Sequence, residues 1–167
     1  MTPKEAQKQL KEWMKEDLPS ISKQKRHIYR PTKREINHTY NVLNLVLFNG
    51  KLIRPKITVI SRRYYWGLCQ ANNIQPQVLK SKSNCELLLN DKWFCRQWFI
   101  DTLAHEMAHQ YQWDIDGPKR VEEGKEALMS HGPSFFKHKP KLDRYGLNLK
   151  VTHKIKKWFK YQSLSKC

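Results

Sequence analysis

The run from Ile100 to Tyr111, "IDTLAHEMAHQY", constrains the fold more than any other stretch. Ile100, Leu103, Ala104, Met107, Ala108 and Tyr111 recur at three- and four-residue intervals, a period that only an α-helix turns into one continuous face. The pattern predicts a long helix from about Asp91 to about Trp113, with that stripe against the core and Asp116-Gly117-Pro118 breaking it.

The same helix carries chemistry. His105 and His109 stand four positions apart, about 40° around the axis and one turn along it. Two imidazoles so placed can grip one metal ion. Both lie off the apolar stripe, with Trp98, Thr102 and Gln112, and are expected to face a cleft or solvent. Glu106 follows the first histidine, the general-base position of H-E-x-x-H zinc sites, from which a carboxylate reaches an activated water without ligating the metal. A catalytic zinc needs a third protein ligand. His131, before Gly132-Pro133 at a helix start, is the first choice, and His138, among lysines, the second. Arg120, His138 and Tyr145 are candidates to stabilise an oxyanion.

The rest of the chain predicts mixed secondary structure. Thr2-Pro3-Lys4-Glu5 and Thr32-Lys33-Arg34-Glu35 are capping boxes. The first opens an amphipathic helix to about Leu18. The second opens a helix with Ile36, Tyr40, Leu43 and Leu47 on one face, ended by Gly50. Lys56–Ser61, Tyr64–Gln70 and Cys85–Asn90 read as three strands, the last short enough for a sheet edge. The segment from Pro133 reads as helical with a break at Pro140.

At 167 residues one domain is expected. Its organisation divides into a helix and basic connector over 1–34, a central domain over 35–150, and a basic aromatic tail over 151–167. Lys and Arg outnumber Asp and Glu 32 to 15, giving a net charge of +17. The excess sits at the ends: residues 91–130 hold 5 basic and 8 acidic side chains, whereas 137–167 hold 10 basic and one acidic. Such a field favours DNA or another polyanion as partner. In the tail, Trp158, Phe159 and Tyr161 interleave with Lys150, Lys154, Lys156, Lys157 and Lys160, which are the candidate nucleic-acid contacts. An amphipathic terminal helix packing Ile155, Trp158 and Phe159 onto the domain is the competing reading.

The four cysteines form no C-x-x-C pair, so neither a zinc ribbon nor a disulfide framework is indicated. No apolar run approaches the roughly 18 residues of a membrane span or the core of a signal peptide. A reducing, intracellular location is expected: cytoplasmic, with association to the nucleoid compatible with the charge, and no membrane partner. Ser134, Cys69 and Cys95 lack the partner pattern of a nucleophile and are assigned structural roles.

Taken in order, "YNVLNLVLFNGKL", "ITVISRRYYWGLCQ", "ELLLN", "TLAHEMAHQY" and, 22 residues past the second histidine, "HGPSFF" resemble the SprT-like metalloprotease domain over about residues 37–150. The resemblance implies a compact zincin-like α+β domain, its small three-stranded sheet packed on helices that include the H-E-x-x-H helix. It implies one zinc per chain held by His105, His109 and His131, Glu106 as catalytic base, and a monomer acting on protein substrates. Members of the family cleave proteins crosslinked or tightly bound to DNA. It further implies that the strand at Cys85–Asn90 is an edge to which an extended substrate adds. The chain departs from bacterial members in lacking a C-terminal zinc ribbon. The alternative expectation is a nucleic-acid-binding or structural protein that keeps the zinc-bound fold without turnover.

Overall fold

The computed structural model describes residues 1–18, 29–62, 65–71, 81–126 and 128–152. It is a mixed α/β structure with a small three-stranded sheet. The first two helices begin where their caps dictate. In α1 (Pro3–Lys15) the Thr2 hydroxyl accepts from the Glu5 N–H while the Glu5 carboxylate accepts from the Thr2 N–H, and Thr32 and Glu35 repeat the exchange at the start of α2 (Lys33–Phe48). The stop expected at Gly50 is shared with Asn49: both take left-handed backbone, with φ of 72° and 56°, and asparagine is among the few residues that tolerate it.

Strands β1 (Lys56–Val59), β2 (Gly67–Ala71) and β3 (Cys85–Leu89) pair in the order β1-β3-β2. β3 runs parallel to β1 and antiparallel to β2, with Ile57 and Cys69 both opposite Leu87. The strand expected at the edge is therefore the central one. Its run Leu87-Leu88-Leu89 is buried at every position, as befits a strand covered on both faces.

Helix α3 (Arg96–Tyr111) begins later than its sequence period suggests. Asp91–Cys95 is spent on an extended crossing, where Trp93 and Tyr29 exchange backbone hydrogen bonds of 3.0 and 2.8 Å. Nor does the helix break at Asp116-Gly117-Pro118. A π-helical turn (Gln112–Asp116) leads straight into α4 (Gly117–Glu122). Pro118, which would press on the carbonyl of Asp114 in a regular helix, follows this wider turn. Beyond, α5 (Pro133–Phe136) and α6 (Lys139–Asp143) are separated by a turn at Lys137 and His138, two residues ahead of the break expected at Pro140. Pro140 lies in the first turn of α6, where its missing N–H matters least.

One hydrophobic core joins Ala6, Leu10 and Met14 of α1 to Leu43 and Leu47 of α2, Leu87 and Leu89 of β3, and the stripe of α3. Helix α3 runs through the middle of it. Its opposite side is buried too: Trp98, Asp101, Glu106, His109 and Gln110 are all inside. Of the off-stripe residues expected to face a cleft, Trp98, His109 and Gln112 are thus buried, whereas Thr102 and His105 remain part-exposed. Asp101 illustrates why a polar residue can lie there, since its carboxylate accepts from the Asn148 N–H at 3.0 Å and ties the segment after α6 to the helix.

Candidate metal centre

The candidate metal centre draws on one regular element and one loop. His105 and His109 project from α3, and His131 is returned to them by the loop between α4 and α5. One ligand nitrogen from each lies within 4.8 Å of the other two, so the three histidines can hold a metal ion. His109 Nε2 and His131 Nε2 stand 3.0 Å apart. Zinc–nitrogen bonds of about 2.0–2.1 Å in tetrahedral geometry place ligand nitrogens a little over 3 Å from one another. The donor set fits zinc: neutral imidazoles converging on one point.

Burial favours the neutral form of two of them. It drives the pKa of His109 down to about 4, against the supporting bond to Gln112 and with help from His131 beside it. Burial also lowers His131. Neutral nitrogen is the form a metal binds.

The floor under the three rings is Phe135. Fully buried, it stacks on His109 with centroids 4.4 Å apart and meets His105 and His131 edge-on, each at 4.9 Å. Position 135 reaches there because Gly132 caps α5, its carbonyl accepting from the N–H groups of Phe135 and Phe136. Gly132 itself has no room for a side chain, since a Cβ would lie 2.9 Å from the Cβ of Met129. Ser134 donates to Asp116 at 2.9 Å, and Lys137 pairs with the same carboxylate, so α5 is fastened to the end of the π turn. The structural role expected of Ser134 is this one.

Glu106 lies on the side of α3 that meets β2. Its side chain packs so closely on Gly67 that a Cβ there would sit 2.8 Å from Glu106 Cγ and 2.9 Å from its Oε1. Burial pushes the carboxyl up to about 8, opposed by a hydrogen bond from the backbone N–H of Cys69. Strand β2 thus grips the glutamate by a missing side chain and a main-chain donor.

His138, the second choice for a ligand, is elsewhere. It is buried against the rings of Phe48 and Tyr111, with centroids 5.1 and 4.6 Å away. Arg120 donates to the Glu126 carbonyl, and Tyr145 lines a pocket with Pro3, Gln7 and Lys141; these engagements give neither a place among the three histidines. Lys150 is exposed, while Lys154, Lys156, Lys157 and Lys160, with the aromatic residues between them, lie outside the described residues.

Three residues in and beside the site were given no role in the sequence reading, although Gln112 was placed on the face of the two histidines. Gln110, Gln112 and Asp114 are all buried. Gln110 accepts from Tyr40 and donates to Ile53 O and Asp114, whose carboxylate also receives the Asn84 N–H and the Ser83 hydroxyl. Gln112 contacts His109. Their signal was visible: polar residues at every second position do not fit one face of a regular helix, and here a π turn brings them inside.

Among the described residues no helix is long and apolar enough to cross a membrane, and Cys69, Cys85 and Cys95 are in no disulfide. No model of a known protein family matches the chain, and no curated protein matches it at a significant level.

Proposed function

We propose that this chain is a zinc-dependent endopeptidase of the SprT-like type, with a zincin-like fold. The observation that carries the reading is the convergence of His105, His109 and His131 to within 4.8 Å, with Glu106 directly following the first ligand. The order of motifs along the chain, from "YNVLNLVLFNGKL" to "HGPSFF", supports it.

A zinc ion, when bound, supplies Lewis acidity that polarises a carbonyl and lets a water lose its proton near neutral pH. The residues do the rest. Glu106 takes that proton on its carboxylate as the water attacks the peptide carbon, then delivers it to the leaving amine. Burial raises the pKa of this carboxyl in the metal-free chain, which favours the form that delivers a proton, and a cation beside it would favour the carboxylate that takes one. β2, the edge strand packed on the motif helix, offers an extended substrate a place to add.

The substrates that suit the charge are proteins bound or crosslinked to DNA. The net charge of +17 is concentrated outside the segment that bears the site, so a polyanion can be held without crowding the catalytic glutamate.

The decisive experiment measures zinc by elemental analysis and cleavage of a DNA-bound protein, on wild type, Glu106→Gln and His131→Ala. Wild type should carry one zinc and cleave. Glu106→Gln should carry zinc and not cleave, and His131→Ala should lose both. Metal-free, inactive wild type that still binds DNA would replace the reading with that of a nucleic-acid-binding protein.

A further inference from the structure

Gln112 is 1% exposed and touches two parts of the metal centre at once. Its Nε2 donates to the carbonyl of Met129 at 2.9 Å, and its Oε1 lies 3.0 Å from His109 Nδ1. The chemistry of these atoms fixes where the protons are. A main-chain carbonyl can only accept, so the amide's NH₂ must face Met129. The oxygen left facing His109 can also only accept, so Nδ1 must carry the ring proton. The lone pair of that ring is then on Nε2, which points at His131 Nε2, 3.0 Å away.

We infer that Gln112 is a positioning residue that presets the metal centre, fixing His109 in its ligating tautomer and pinning the loop that delivers His131. The inference rests on the metal-site reading above and extends it to a side chain that touches no metal.

The loop side of the clasp is as specific as the ring side. Met129 lies two residues before His131, and its carbonyl also accepts from the Gly132 N–H at 3.2 Å. One carbonyl therefore receives the orienting amide and the residue just beyond the ligand. His109 and His131, 22 positions apart in the chain, are joined through a single side chain by two hydrogen bonds. Only glutamine meets the requirement: glutamate would turn an oxygen on the Met129 carbonyl, and asparagine is a methylene too short to span both partners. Residue 112 is three past His109, about 60° round the helix, which lets its side chain run beside the imidazole.

The test uses the full chain, stripped of metal with a chelator, as wild type, Gln112→Met and Gln112→Glu. Methionine keeps the volume and loses both bonds. Glutamate keeps the acceptor for His109 and loses the donor to Met129. Two quantities are read: zinc affinity, by competition with a chromophoric chelator, and the His109 tautomer in the metal-free protein, by ¹⁵N NMR of the imidazoles. Wild type should show the Nδ1–H form. Gln112→Met should lose that preference and bind zinc about 10- to 100-fold more weakly, the usual effect of removing a ligand's supporting partner. Gln112→Glu should keep the tautomer and fall between. A folded Gln112→Met with wild-type affinity and tautomer overturns the inference. Should that variant not fold, an Nε2–H tautomer in wild type, or a glutamate variant with unchanged affinity, overturns it equally. Wild type that takes up no zinc at all fails the metal reading itself, a result distinct from zinc bound equally by all three.

Discussion

Gly67 and Glu106 are in contact across the boundary between sheet and helix, so closely that a Cβ on the glycine would stand 2.8 Å from Glu106 Cγ, with Thr102 Cγ2 equally close at 2.9 Å. No real Cβ tolerates such separations. Gly67→Ala must therefore move either β2 or the glutamate, at a cost of about 1–3 kcal/mol. Because Cys69 in the same strand donates to Glu106, either movement disturbs the carboxylate. The expected outcome is turnover reduced at least 10-fold, zinc content unchanged, and a modest fall in melting temperature. Steady-state kinetics with elemental analysis on the same preparation checks it. Full activity would separate β2 from the chemistry.

Phe135 is the shared ring contact of all three histidines. Phe135→Ala removes a fully buried aromatic and should cost about 3–5 kcal/mol of stability. Phe135→Leu, which keeps much of the volume, should cost less but still loosen the ring stacked on His109. Zinc affinity should fall in the order wild type, leucine, alanine, alongside the urea midpoint. Affinity that stays constant while stability falls would mean that α3 and the His131 loop hold the ligands without a floor.

A pH effect is expected from His138. Burial between Phe48 and Tyr111 lowers its pKa from 6.5 to about 4; Lys137 and Lys141 push it further down and Asp116 opposes them. The unfolded chain therefore takes the proton more readily than the folded one. The contribution to stability is complete above about pH 6.5 and is lost as pH falls toward 4. His138→Phe should flatten that dependence. Urea midpoints at pH 7.5 and 5.0, both with chelator to remove the metal's own pH response, should differ more for wild type than for the variant. Equal slopes would contradict the assignment.

How much of this was legible beforehand depends on the range of the forces involved. The capping boxes at Thr2 and Thr32 are local and read directly, as are the stripe of α3 and the spacing of its histidines. His131 could be chosen because Gly132-Pro133 marks a turn into a helix. What failed was set by neighbours distant in sequence. A five-residue apolar strand does not reveal how many strands flank it, although the unbroken Leu87-Leu88-Leu89 argued for a covered one. The stripe of α3 identified one buried side and said nothing of the other, which Phe135, β2 and the segment at Asn148 enclose. Pro118 suggested an end to the helix because proline breaks a regular α-helix, whereas the π turn before it carries the chain on into α4. His138 resembled a ligand only by being a histidine near others.

Met129 is 72% exposed while its carbonyl holds both Gln112 and Gly132. The two halves of this residue answer to different demands. The outward half lies mostly in solvent, whereas the inward half is a main-chain carbonyl common to every amino acid and so leaves no mark in the alphabet. An inventory of invariant letters would pass over position 129, yet an insertion or deletion of one residue beside it would pull apart the two histidines that its carbonyl helps to join.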